Sequence, residues 1–472
     1  LSIGMSCSVF LSPIMIQWLL LLKTSPVLKS CFPDMKTYHL QSTKGVKEFF
    51  LPAGWQLLNE ATFNDAAAAH DAGELTLKRL QNPIGAQSLE RKLKSTSRIT
   101  ILIEDLTRKS PKKEVLASLL KFLQGLGVKE DNISIVIALG THRPLNEEEL
   151  ASGYGAYIVS RYRFINHDCH ATDLVKIGEL QSGIPVKINR HVHGADFRIG
   201  IGSIFPHPMN GFGGGAKILF PGVADFQSTF EHHLQYSFVG QSRMGNLQDN
   251  EFHQEVIRLA RLGNLDFIIN SVLDHKDRFH DLVCGDPAAA HREGCRLSRN
   301  IIAKRFDNPA DITIISAFPY TEGPQIMKPF AAAESITRRG GCIILYADCT
   351  MPLPEEYYEA CERFRKAHSP ELRRAVLDHF ANNQGIIGDT SPEMNMSLAL
   401  VLLALNDYTV ILITNDIAAG DVQRLGFIHA ENLEEALSIA AVRYTNPSIN
   451  IVPSGGVILP EMIQNTDYQG IS

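Results

Sequence analysis

No stretch of this 472-residue chain is expected to span a membrane. Its leading apolar stretch, Val9–Leu22 (VFLSPIMIQWLLLL), stops short of the roughly 20 residues a spanning helix needs. No charge precedes Lys23, so the basic opening of an export signal is absent as well. The eight cysteines (7, 31, 169, 284, 295, 342, 349, 361) form no C-x-x-C and no pairing pattern, which fits reduced thiols in a cytoplasmic protein. There is no long basic run, and the net charge of −6 provides no footprint for nucleic acid. A Walker loop is excluded because Ala216 precedes Lys217 and Ile218 follows it. His232 and His233, in TFEHH, miss the H-E-x-x-H spacing of zinc proteases.

What remains is an ordinary globular composition, 44% hydrophobic and 20% charged, in a chain long enough for two or three domains. Residues 1–34 differ from the rest and are expected to be an N-terminal extension outside the fold, with a membrane anchor or export signal as the alternative. From about residue 97 a pattern repeats: a β-branched run, a polar cluster, then a helix. ITILI (99–103), ISIVIAL (133–139), DFRIGIG (196–202), ITIISA (312–317), CIILYA (342–347) and TVILIT (409–414) read as buried strands. Apolar residues at 115, 116, 119, 120, 123 and 126 form one helical face, with Ser110 as the expected N-cap and Pro111 as the first helical residue. The fold class expected is α/β with mainly parallel sheets.

In such sheets ligands bind beyond the carboxyl ends of the strands. Asp105, Arg108, His142, His207, Lys217, Gln325 and Lys328 all follow predicted strands, so parallel strands would gather them on one edge. Each also has a plain structural reading. Asp105 would serve as a turn residue, His142 in GTHRP as a turn cap, and Gln325 and Lys328 as an exposed helical pair. Arg108, Lys109, Lys112 and Lys113 oppose the dipole of the helix they open, which favours a bound anion there. The run PHPMNGFGGGAK (206–217) places His207 between two prolines and Lys217 after four glycines in five positions. Glycine is costly to order, so such a run implies a close approach of backbone to something. Its loose G-x-G-x-x-A match lacks a preceding strand and is weak as a dinucleotide signal. HDCH (167–170) and HVH (191–193) are metal pairs in search of a third ligand.

Taken together, DLTR (105–108), ALGTHR (138–143), PHPMNGFGGGAK (206–217), LFPGVADFQSTFEHH (219–233) and PQIMK (324–328) resemble the nickel-dependent lactate racemase family, in order and spacing from roughly residue 45 to the C terminus. The resemblance implies two α/β domains, 35–300 and 301–472, with a cofactor in the cleft between them. It implies a racemase or epimerase that inverts C2 of a small 2-hydroxy acid by hydride transfer, through a 2-keto acid. The implied cofactor is a nickel-pincer nucleotide, attached covalently at Lys217 and supplied by its synthesis enzymes. Asp105, Thr107, Gly213, Gly214 and Gly215 fall in the cofactor-side motifs. His233 matches the nickel ligand, with His232 the alternative one residue away. His142 and His207 match the catalytic bases, and Arg108, Gln325 and Lys328 the groups that hold the substrate carboxylate. Leu106 and the PHPMN lead-in depart from the lactate-type motif, which leaves the acid open. A nicotinamide-type oxidoreductase and a non-catalytic anion- or nucleotide-binding relative are the competing classes. No nucleic acid or stable membrane partner is expected.

Overall fold

The structure is a computed structural model that describes residues 36–63, 71–388 and 390–463. The 1–34 extension lies outside the described residues. The chain forms two six-stranded sheets. The first runs in the order Phe279–Gly285, Phe267–Leu273, Phe197–Ile204, Ile99–Glu104, Ile133–Ala138, Arg163–Asn166. All neighbours are parallel except the edge pair Phe267–Leu273 with Phe279–Gly285. The second is parallel throughout, in the order Ile428–Ala430, Thr409–Ile413, Thr337–Tyr346, Ala310–Ser316, Ser448–Val452, Gln56–Glu60. The α/β class with mainly parallel sheets is what the buried β-branched runs dictate.

The last pairing brings a strand from the start of the chain into the sheet built by its end. Gln56–Glu60 lies inside the 35–300 span expected for the first domain, yet it hydrogen-bonds to Ser448–Val452. Its short, half-exposed residues carry no signal for which sheet they join, and an open parallel edge accepts them. One hydrophobic cluster also crosses between the halves, from Leu219 and Phe220 to Ile326, Met327 and Leu400. The halves therefore share packing as well as a strand.

Each sheet reverses its strand order at one point. In the first sheet the chain moves outward from Ile99–Glu104 to Arg163–Asn166, then returns to Phe197–Ile204 on the other side of Ile99–Glu104. In the second, Ala310–Ser316 sits between Thr337–Tyr346 and Ser448–Val452 in the same way. A crevice opens beyond the strand ends at such switch points. The loops leaving those strands begin at Asp105, Phe205 and Ala317, so topology alone aims the key motifs at one place.

One local reading needs correction. The helix Lys112–Gly125 buries Val115, Leu116, Leu119, Leu120 and Leu123 as expected, but Pro111 holds the cap position. Ser110 instead donates its hydroxyl to the Glu104 carboxylate, which also accepts from Ser203 N (3.0 Å) and Ser203 Oγ (2.9 Å). A carboxylate at a buried strand end needs donors more than the helix needs a side-chain cap. The glycine run makes the close approach its composition implies, against the protein's own groups. Gly214 has φ +75, and a Cβ there would lie 2.7 Å from Ser203 O. At Gly215 a Cβ would meet the His291 ring at 2.5 Å. These glycines are required by the protein's own packing under the loop.

Candidate active site

Asp105, Thr107, Arg108, His142, His207, Gly213, Gly214, Lys217, His233 and Lys328 line a single cavity between the halves. Two expected site residues lie behind that lining. Gly215 donates its N–H to Asn270 Oδ1 (2.7 Å) and packs on His291. Gln325 is buried and accepts from Lys328 Nζ (3.3 Å), so it orients the lysine from behind.

His142 sits after Ile133–Ala138, held between two carboxylates. Its Nδ1 is 2.6 Å from Asp105 Oδ2, and its Nε2 is 3.5 Å from Glu393 Oε2. Asp105 is fixed in turn, its Oδ1 accepting from Thr107 N (3.0 Å) and Thr107 Oγ1 (2.6 Å). Burial opposes the imidazolium, but the bonds to Asp105 and Glu393 outweigh it and raise His142 to about 10. Burial likewise opposes the Asp105 carboxylate, and His142 and Thr107 overcome it, leaving Asp105 well below the usual range. A value near 10 favours the protonated imidazolium at neutral pH.

His207 is the opposite case. Its Nδ1 accepts from the backbone N–H groups of Met209 (3.3 Å) and Asn210 (3.1 Å). Its Nε2 lies 2.8 Å from Lys217 Nζ. An Nδ1 that accepts forces the ring proton onto Nε2, which donates to Lys217 only if that amine is neutral. The charges agree. Burial, then repulsion from Lys217 and Lys328, lowers His207 far below its ordinary value. Burial, then Lys328 and Arg108, lowers Lys217 to about 7. A buried amine depressed this far is a nucleophile near neutrality.

The cations at the cavity wall share one aromatic ring. The Arg108 guanidinium lies over Phe205 (4.0 Å) and Tyr320 (5.0 Å), and Lys328 Nζ lies 5.2 Å from the same Tyr320 ring. Arg108 reaches only the Thr107 carbonyl (3.2 Å) and the Tyr320 hydroxyl (3.5 Å); among the described residues no carboxylate pairs with it. A guanidinium without a carboxylate partner in a cavity can bind a carboxylate, a phosphate or another anion. Lys328 is already opposed by Glu393 Oε1 at 3.5 Å.

The two adjacent histidines of helix Phe226–Tyr236 diverge. His233 donates Nδ1–H to Thr229 O (2.8 Å) and lines the cavity, leaving Nε2 as a lone-pair donor. Burial and Lys217 lower it to about 4, so it stays neutral, and its carbonyl partner fixes the ring as metal-bound histidines are fixed. His232 is fully buried among Phe220, Tyr236 and Phe252, and among the described residues neither ring nitrogen makes a well-formed hydrogen bond. His167 of HDCH is spent on Ala224 O (2.9 Å), and neither it nor the HVH pair lines the cavity. Among the described residues no three His, Cys, Asp or Glu side chains gather as a metal site.

Three residues escaped the sequence reading: Phe205, Tyr320 and Glu393. Phe205 and Tyr320 stand in loops already marked by their position after strands. Glu393 had no such mark, because Ser391-Pro392-Glu393 reads only as the start of helix Pro392–Asp407.

Fold and site together define a two-domain α/β protein whose interdomain cleft is lined by a guanidinium with no carboxylate partner among the described residues, two unlike imidazoles and a buried lysine. Residues 45–245 match the lactate racemase N-terminal domain and residues 307–459 the lactate racemase C-terminal domain. A lactate racemase of Thermoanaerobacterium thermosaccharolyticum is 30% identical over 390 residues, 81% of this chain and 89% of that protein. One from Lactiplantibacillus plantarum is 32% identical over 299 residues, 62% of this chain and 70% of that protein. The structure of the T. thermosaccharolyticum lactate racemase apoprotein superposes with a TM-score of 0.80 at 27% identity, covering 90% of this chain and 100% of that one. A Thermotoga maritima protein shares the fold, with a TM-score of 0.61 at 19% identity, over 83% of this chain and 98% of that one. The chain belongs to the lactate racemase family. Among the described residues no helix is long and apolar enough to cross a membrane.

Proposed function

We propose that this chain racemises or epimerises a small 2-hydroxy acid at C2, using a nickel-pincer nucleotide. The observation that carries this reading is the pair of unlike imidazoles in one cleft. His142 is protonated by its two carboxylates and His207 is kept neutral by burial and neighbouring cations. Inversion through a ketone needs both, one to take the hydroxyl proton and one to return it.

The residues present fit the cofactor. Lys217 is a near-neutral amine beside Gly213 and Gly214 in the cavity wall and would hold the nucleotide covalently. Asp105 and Thr107 line the same cavity, and His233 would give its free Nε2 to nickel, with the remaining donors coming from the bound group. When bound, this group supplies a hydride acceptor, which avoids forming a carbanion next to a carboxylate.

The chain's own work is orientation and proton transfer. Arg108 binds the substrate carboxylate through its planar fork, and Lys328, steadied by Gln325, supports it. His207 would accept the hydroxyl proton of one enantiomer at Nε2, once the Lys217 amine is consumed by the cofactor and the resting ring proton has moved from Nε2 to Nδ1. His142 returns a proton to the ketone oxygen from Nε2, with Asp105 fixing its ring at Nδ1. The reverse reaction uses the same groups in exchanged protonation states. Maturation requires the enzymes that make the cofactor.

The test is incubation of cofactor-loaded protein with each lactate enantiomer separately, followed by chiral chromatography. Interconversion from both sides without added nicotinamide is expected. One-way oxidation that consumes a nicotinamide would favour the oxidoreductase reading instead.

A further inference from the structure

The resting partner of both Lys328 and His142 is Glu393, a carboxylate inside an acid-binding cavity. It opens helix Pro392–Asp407, which supplies Pro392, Met396, Ser397 and Leu400 to the same wall. Ser391 caps that helix through Met394 N (3.3 Å), so Glu393 lies in its first turn, where the helix dipole supports negative charge. Both of its contacts are 3.5 Å, looser than the 2.6 Å bond between His142 and Asp105. On the hydroxy-acid reading above, Glu393 would stand beside the acid. One oxygen is beside a cation that supports the substrate carboxylate, and the other is beside the nitrogen that meets its oxygen at C2.

The ion pairs define how many carboxylates the cavity accepts. Three cations line it outright, Arg108, Lys328 and protonated His142, beside the carboxylates Asp105, Glu393 and Glu104, the last already bonded by Ser110 and Ser203. Lys328 is opposed by Glu393 and His142 by Asp105, while Arg108 has no carboxylate partner among the described residues. One unpaired cation matches one substrate carboxylate. A second carboxylate on the acid would face Glu393 with no free cation to receive it.

We propose that Glu393 is a specificity-determining residue that restricts this enzyme to monocarboxylic 2-hydroxy acids and repels 2-hydroxydicarboxylic acids. The proposal rests on the hydroxy-acid reading above. Specificity of this kind comes from a built-in repulsion rather than from an added contact. Hydroxyl groups further along a monocarboxylic acid are tolerated, because they donate to the same carboxylate.

The experiment uses the cofactor-loaded enzyme, with L-lactate and L-malate as probes. Dissociation constants are measured by calorimetry, and kcat/KM by chiral chromatography where turnover occurs. Wild-type protein should prefer lactate, and Glu393→Gln should shift the malate-to-lactate ratio toward malate by about tenfold or more. Glu393→Asp, which keeps the charge, should retain the wild-type ratio. Binding or turnover of these acids with a ratio that Glu393→Gln leaves unmoved would overturn the proposal alone. Wild-type enzyme that neither binds nor interconverts either acid would remove the hydroxy-acid reading and the proposal with it.

Discussion

Lys217 Nζ lies 2.8 Å from His207 Nε2, and the backbone donors on the far side of the imidazole leave that contact a single proton. The lysine must therefore be an amine when the histidine is neutral. A surface lysine would be ammonium at the same pH.

The amine should be detectable before any cofactor is present. In cofactor-free protein, Lys217 should be labelled by a small amine-directed reagent ahead of the other lysines, with labelling rising through about pH 7. Peptide mass spectrometry reads this. Lys217→Ala should remain folded yet carry neither a covalent nucleotide nor nickel after maturation, by intact mass and metal assay. A covalently loaded Lys217→Ala protein would contradict the anchoring role.

The His142–Asp105 pair sets a pH dependence with a definite sign. His142 is raised from 6.5 to about 10 on folding, so its stabilisation is full below about pH 6.5 and is lost as pH rises through about 10. Asp105 is lowered, so its contribution is present above its ordinary value of 3.8 and is lost as pH falls through its depressed one. Asp105→Asn should lower the melting temperature near pH 7, and the gap to wild type should narrow toward pH 10. The same variant should lose about 10²-fold in kcat/KM, since a wrongly oriented imidazole loses most of a general acid–base contribution. A gap that widens on going from pH 7 to 10 would show that the pair does not set this dependence.

The neighbouring histidines should separate by readout. His233→Ala should load little or no nickel while keeping its fold, because its free nitrogen faces the cavity. His232→Ala should retain nickel but melt at lower temperature, by about 1–3 kcal/mol of stability, as a packed core residue does. Metal content and thermal unfolding of the two variants decide between them. Nickel lost from His232→Ala and kept by His233→Ala would reverse the assignment.

How much of this was legible depends on which physical signal each residue leaves. His142, Arg108 and Lys328 follow buried β-branched strands, and parallel topology gathers such positions without further information. His233 and His232 were indistinguishable in sequence, because one helical step of about 100° decides which faces the cavity and only packing fixes the helix rotation. The glycine run implied a close approach of backbone to something, and Gly214 and Gly215 make it against the Ser203 carbonyl and His291, the latter 76 residues away in the chain. Glu393 left no trace beyond a helix start, since its partners His142 and Lys328 come from distant segments. The first strand of the second sheet, Gln56–Glu60, was equally silent, because a short edge strand is placed by the partner it meets.

The central claim is that two imidazoles serve opposite directions of one reaction, and the most direct test is chiral chromatography of His142→Ala and His207→Ala from each enantiomer of an accepted acid. Every turnover uses one base to take a proton and the other to return it. Each single variant should therefore lose about 10²–10⁴-fold in both directions. The double variant should be little worse than either, as for residues that act as a unit. Near-normal racemisation by either single variant would contradict the account.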